Sequence, residues 1–282
     1  MELDNDMAWR YKIIPLKTLS RLIGVVSRVH FPPWLLRRAV DWYSSRYNVN
    51  TGEMITPTEG FRTFNEFFTR RLKEGSRGMD TDRRAVVSPV DGRIDQFGPI
   101  ESSTMMQAKG IRYPVRDLIP SEAAAAFNNG DFITLYLSPG DYHRIHSPVD
   151  GTITGYMHVP GRLLSVRESV ARNVPGLYTG NERVITFIRS KRGMVAVCKV
   201  GAANVGAISL SFDAAASKSF SHSLKEVIYP AAKEKTMRRG DELGVFNLGS
   251  TVIIIFEKGI VRFTIKSTGL KIKMGQQIAV WE

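Results

Sequence analysis

The spacing of apolar positions along this chain changes near residue 86. Upstream, Leu16, Leu19, Ile23 and Val26 recur at three- and four-residue steps, Phe31-Pro32-Pro33 interrupts them, and a second run extends from Trp34 to about Tyr47. That pattern predicts a helical hairpin. Phe61, Phe64, Phe67, Phe68 and Leu72 continue the helical spacing and predict a further amphipathic helix over residues 58–73, packed on the core. Beyond Val86 the apolar runs are short and punctuated by Gly, Pro and Asp, at 132–137, 184–188, 194–200, 251–256 and 261–265, which reads as strands. Runs of this length, without intervening crossover helices, favour a barrel or a sandwich over a parallel sheet. The expected fold class is therefore α+β, with a β-rich barrel-like or sandwich-like domain over residues 56–282 behind an N-terminal amphipathic helical region at 1–55.

One heptapeptide is echoed. Ser88-Pro89-Val90-Asp91-Gly92-Arg93-Ile94 returns fifty-nine residues later as Ser147-Pro148-Val149-Asp150-Gly151-Thr152-Ile153. Asp-Gly after an apolar residue is a turn signal, so both copies are expected to be turns that enter strands.

Charge narrows the choice of partner. The 282 residues carry a formal net charge of +12, which implies an anionic partner, whether nucleic acid, acidic lipid or a phosphorylated small molecule. Between Arg10 and Arg38 no acidic residue occurs, and Lys12, Lys17, Arg21, Arg28 and Arg37 alternate with Trp9, Ile13, Leu16, Leu19 and Trp34. Basic residues mixed with a large apolar face suit an anionic lipid surface better than nucleic acid; a helical pair with a merely solvated basic face is the plainer alternative. The acidic start, Met1 to Asp6, lacks the basic-then-apolar order of an export signal, and no apolar run approaches the ~20 residues of a spanning helix. Any meeting with a membrane is expected at its surface. Cys198 is the only cysteine, which leaves no disulfide or cysteine-based zinc site, and its apolar setting predicts a core thiol.

Two segments hold candidate chemistry. His143 and His146 lie three apart just beyond the strand predicted at 132–137. As metal ligands they lack a cysteine partner and the Glu-bearing helical motif of zinc hydrolases, so no metal is expected, although a His-ligated metallohydrolase stays open. Imidazoles that titrate near neutrality suit acid–base work better. Further on, Leu248-Gly249-Ser250-Thr251 directly precedes an apolar strand. By itself this is a turn whose hydroxyls cap a strand, but a glycine carbonyl next to a serine hydroxyl is also a peptide bond open to attack by its neighbour. The paired Pro-Val-Asp-Gly turns would equally fit a non-catalytic carrier or hybrid-barrel binding module.

Taken together and in order, several segments resemble the bacterial phosphatidylserine decarboxylase proenzymes: Phe64-Asn65-Glu66-Phe67-Phe68, Pro89-Val90-Asp91-Gly92, Asp141-Tyr142-His143-Arg144-Ile145-His146, Val159-Pro160-Gly161, Asn173-Val174-Pro175 with Asn181-Glu182-Arg183, and Leu248-Gly249-Ser250-Thr251. The segment 207–229 matches no part of that pattern. The resemblance implies self-cleavage between Gly249 and Ser250 into a 1–249 beta chain and a 250–282 alpha chain, which stay associated. It implies that Asp91, His146 and Ser250 drive this cut, with His146 as base and Asp91 holding its tautomer. Ser250 then becomes a covalent pyruvoyl cofactor, the Schiff-base site for the substrate amine. His143 is implied in the decarboxylation step. The expected partners are phosphatidylserine and an anionic membrane surface, on the cytoplasmic face of the cell membrane as a peripheral protein. A homodimer is left open, and nucleic acid is not expected.

Overall fold

The run Val252-Ile253-Ile254-Ile255-Phe256 has no polar alternation, and burial on both sides explains why: every residue from Ser250 to Phe256 is inaccessible. The computed structural model of the protein describes residues 24–108, 110–202, 208–213, 223–246 and 250–282. Helix α1 is Pro33–Tyr47 and α2 is Phe64–Phe68. The strands are β1 Ala85–Val87, β2 Gly92–Pro99, β3 Thr104–Ala108, β4 Ile111–Pro114, β5 Asp131–Leu137, β6 Arg144–His146, β7 Gly151–Val159, β8 Arg183–Arg189 and β9 Met194–Gly201. They continue as β10 Ile208–Leu210, β11 Lys225–Ile228, β12 Lys235–Met237, β13 Glu242–Phe246, β14 Ser250–Phe256, β15 Val261–Phe263, β16 Lys271–Ile272 and β17 Gln277–Trp281.

A nine-stranded antiparallel sheet runs β11-β7-β8-β9-β14-β5-β2-β16, with β12 also on β7. It is open at both edges, so of the two expected architectures the sandwich holds and a closed barrel does not. β14 sits between β5 and β9, paired over seven residues on each side. Val252, Ile254 and Phe256 join one core cluster with Ile133, Leu135 and Val197; Ile253 and Ile255 join the other with Phe132, Ile185 and Cys198. Cys198 is the core thiol expected, and burial pushes its pKa up to about 12. Opposite Val252, Lys199 is wholly buried; its ammonium donates to Thr186 Oγ1 at 2.5 Å, and burial pulls it down to about 7.

The echoed heptapeptides are two copies of one construction. Ser88 Oγ donates to the Val90 carbonyl and Ser147 Oγ to that of Val149, both at 2.7 Å. The Ser88 and Ser147 carbonyls accept from Gly275 N and Gly240 N, glycines at φ 89° and 91°, a region costly to any residue with a Cβ. Asp91 Oδ1 accepts from Met274 N at 2.9 Å and Asp150 Oδ1 from Arg239 N at 2.8 Å. The copies also bond each other: Val87 N donates to Pro148 O, and His146 N to Pro89 O. Such reciprocity is the mark of a local twofold. β1 with β17 and β6 with β13 are its equivalent ladders, each with a bulge at the matching step.

The second helix of the expected hairpin is present as α1, whereas Leu16, Leu19 and Ile23 lie outside the described residues. The helix expected over 58–73 shrinks to α2. Thr63 Oγ1 accepts from Glu66 N and Glu66 Oε2 from Arg62 N, a reciprocal cap that fixes where the helix starts. Downstream, Ile55 N bonds Arg71 O and Lys73 N bonds Glu53 O, drawing the chain into extended pairing. The aromatic spacing is satisfied in space instead, since the Phe61 and Phe67 rings pack edge-on with centroids 5.6 Å apart.

Candidate active site

The local twofold brings Asp91 of one copy near the β6 strand of the other, and the two aspartates differ in setting. Asp150 is exposed, whereas Asp91 is buried and gripped by Arg77, whose Nε lies 2.9 and 3.1 Å from its two oxygens and whose Nη2 lies 2.5 Å from Oδ2. Arg77 also bonds Glu53 at 2.7 Å and is held firmly protonated by its two carboxylates. The negative charge of Asp91 acts on both Tyr142 and His146.

The expected hydrogen bond from His146 to Asp91 is not made. The Gly240 carbonyl takes His146 Nδ1–H at 2.7 Å, while Arg77 and Met274 N occupy the carboxylate. The tautomer is therefore set by backbone, and Asp91 acts on the ring through charge. With Nδ1 donating, Nε2 accepts from Tyr142 OH at 3.2 Å. Burial lowers the pKa of His146, against the Gly240 bond and the nearby Glu242 and Asp91, so the ring is a neutral base.

His143 is fully buried. Its Nδ1 donates to Asp141 O at 2.8 Å, and its Nε2 has no partner among the described residues. Burial pulls it down to about 3, with Arg70 adding repulsion. Arg70 Nη2 reaches the Gly140 and Asp141 carbonyls and so anchors the loop that carries His143. The His143 carbonyl accepts from Phe246 N, four residues before Ser250.

Ser250 opens β14. Its side chain is wholly inaccessible, and its Oγ has no hydrogen-bond partner among the described residues. It lines a cavity of about 750 Å³ whose walls include Leu35, Leu36, Tyr43, Phe64 and Phe68 from the helices, Tyr136 and Leu137 from β5, and Ser165, Val166, Arg167 and Ser169. The Phe68 ring also packs on His143, with centroids 4.1 Å apart, so that one aromatic side chain touches both the cavity and this histidine. Asn247, Leu248 and Gly249 lie outside the described residues. A reactive carbonyl at position 250 fits these surroundings, because replacing the hydroxyl would break no hydrogen bond seen there.

Sequence reasoning missed Arg77, Arg70, Tyr142 and Gly240. Arg77, Arg70 and Gly240 act through contacts 14, 70 and 94 residues away, whereas Tyr142 lies inside the His143 segment, four residues from the ring it bonds. No group of three or more His, Cys, Asp or Glu side chains is arranged to hold a metal ion among the described residues. No helix among them is long and apolar enough to cross a membrane.

Comparison with known proteins finds similarity along most of the chain. The model of the family described as phosphatidylserine decarboxylase matches residues 64–280. A phosphatidylserine decarboxylase proenzyme of Pseudomonas aeruginosa is 40% identical over 277 residues, covering 95% of this chain and 94% of its own. Those of Polaromonas naphthalenivorans and Vibrio cholerae are each 39% identical, covering 95% and 94% of this chain and 93% and 95% of their own.

Proposed function

This chain belongs to the phosphatidylserine decarboxylase family, and on that premise we propose that it cuts itself between Gly249 and Ser250 and works through a pyruvoyl group at Ser250. It is a decarboxylase that converts phosphatidylserine to phosphatidylethanolamine and carbon dioxide. The observation that carries the self-cleavage reading is Ser250 itself, a buried hydroxyl with no hydrogen-bond partner among the described residues, at the head of a central strand and on the wall of a largely apolar cavity.

In the proposed processing, His146 Nε2 takes the Ser250 Oγ proton and the Oγ attacks the Gly249 carbonyl, replacing the amide by an ester. Loss of the Ser250 Cα proton then expels the 1–249 carboxylate and leaves a dehydroalanine. Tautomerisation and addition of water release ammonia. The Asp91 charge stabilises the imidazolium formed in the first step, and the Gly240 carbonyl keeps Nδ1 protonated. A second reading, with His143 as the base, is supported by its unpartnered Nε2 and by the bond from Phe246 N to the His143 carbonyl.

A pyruvoyl group supplies a ketone for the substrate amine and a sink for the electron pair left by departing carbon dioxide. Around it, the neutral His143 positions the substrate by accepting a hydrogen bond at its unpartnered Nε2, and Phe68 helps keep water from the reacting end. The 250–282 piece remains attached after cutting, because β14 is laddered to β5 and β9 along its whole length. α1 presents Trp34 and Trp42, 63% and 65% exposed, with Arg38 on the turn between them, and so suits peripheral attachment to an anionic leaflet on the cytoplasmic face.

The test compares wild type with Ser250→Ala on a denaturing gel and in a phosphatidylserine assay. The wild type should give two fragments and activity, and the variant one uncut, inactive chain. His146→Ala should block the cut while His143→Ala blocks only turnover; the reverse pattern would establish the second reading.

A further inference from the structure

Arg167 is the only charged side chain on the walls of the Ser250 cavity among the described residues. Its natural partner by sequence, Glu168, is already taken by Arg93 at 2.6 Å and by Arg172. No carboxylate pairs with Arg167 among the described residues, and its charge acts on the Tyr136 hydroxyl beside it. The hydroxyl-bearing Ser165 and Ser169 flank it on the same wall. Ser250 is wholly buried and Arg167 exposed, so the cavity runs from a closed reactive end to a cationic mouth.

Resting on the function proposed above, the substrate headgroup brings three charges to this cavity. The amine is consumed at the reacting carbonyl. The carboxylate must leave as neutral carbon dioxide, and a cation holding it would favour the ground state over the transition state and slow the reaction. The phosphodiester keeps its charge throughout and lies four bonds from the amine nitrogen. We propose that Arg167, with Ser165 and Ser169, is the phosphodiester-recognition site that selects a phosphoserine lipid over a serine lipid lacking phosphate. Since that charge is the same before and during carbon dioxide loss, the contact is uniform binding and should appear in KM rather than in kcat.

The experiment compares wild type, Arg167→Gln and Arg167→Lys as processed enzymes in mixed micelles. One probe is phosphatidylserine. The other is an O-alkyl serine ether of matched chain length, without phosphate, measured as a competitive inhibitor. Arg167→Gln should raise KM for phosphatidylserine roughly 10- to 100-fold, the value of a lost charge-assisted hydrogen bond, with kcat little changed. Arg167→Lys should recover part of the loss, and the Ki of the ether should stay within about twofold, because it has no phosphate to lose. An unchanged KM would overturn the proposal, as would an equal loss on both probes, which would make Arg167 merely structural. Failure of the underlying function would look different, since wild type itself would be uncut or inactive.

Discussion

Removing Arg77 should expose how much of the site's stability rests on one buried ion pair. Arg77 and Asp91 side chains are 8% and 10% exposed, and three nitrogen–oxygen contacts of 2.5 to 3.1 Å join them. Arg77→Met leaves the carboxylate with Met274 N as its remaining donor, and stranding a buried charge in this way costs about 3–5 kcal/mol. Asp91→Asn is milder, because Arg77 keeps Glu53 at 2.7 Å, and should cost about 1–3 kcal/mol. The double variant should be less destabilised than the sum of the two, by a coupling of about 1–3 kcal/mol. The local twofold supplies an internal control: Asp150 takes the same backbone bond from Arg239 N but is exposed, so Asp150→Asn should cost no more than about 1 kcal/mol. Urea unfolding followed by circular dichroism, with all variants in an uncut Ser250→Ala background, measures each term. If Arg77→Met unfolds within about 0.5 kcal/mol of its parent, or the two changes simply add, the pair does not anchor the site.

Other outcomes follow from the same geometry. Because burial lowers the His146 pKa, the self-cleavage rate should stay level as pH falls through 6.5 and decline only below it, and a midpoint at or above 6.5 in a pH series would contradict this. For His143, at about 3 when folded against about 6.5 unfolded, the unfolded chain binds more protons in between, so this group's contribution is lost as pH drops from 6.5 towards 3. Urea midpoints of a His143→Gln variant should therefore depend less steeply on acid than those of its parent. Gly92→Ala would drive a Cβ into the Tyr136 carbonyl and should destabilise by about 1–3 kcal/mol, whereas Gly78→Ala, with open space around it, should be near neutral in thermal unfolding. Replacing Trp34 and Trp42 by Ser should weaken sedimentation with anionic vesicles, and unchanged binding would make α1 purely structural.

What the sequence disclosed followed from local periodicity. β5, β8, β9 and β14 lie within a residue of their expected limits because a strand buried on both faces advertises itself as an unbroken apolar run. α2 was overestimated because aromatic residues at helical spacing pack together equally well across a capped end, as Phe61 does. The two Pro-Val-Asp-Gly turns were legible as turns, but not their reciprocal bonding, which depends on contacts between segments fifty-nine residues apart. For the same reason the Asp91 partner was misjudged: Arg77 and Gly240 carry no local mark of their role, and the first takes the carboxylate while the second takes the imidazole.

The most direct measurement is the intact mass of the 250–282 fragment from active enzyme, before and after treatment with a carbonyl-specific reagent. A fragment one ammonia lighter than the serine-headed peptide, which then gains one equivalent of reagent at its first residue, is the predicted result. Active enzyme in which position 250 still has the mass of an ordinary serine, or in which no such fragment exists, would contradict it.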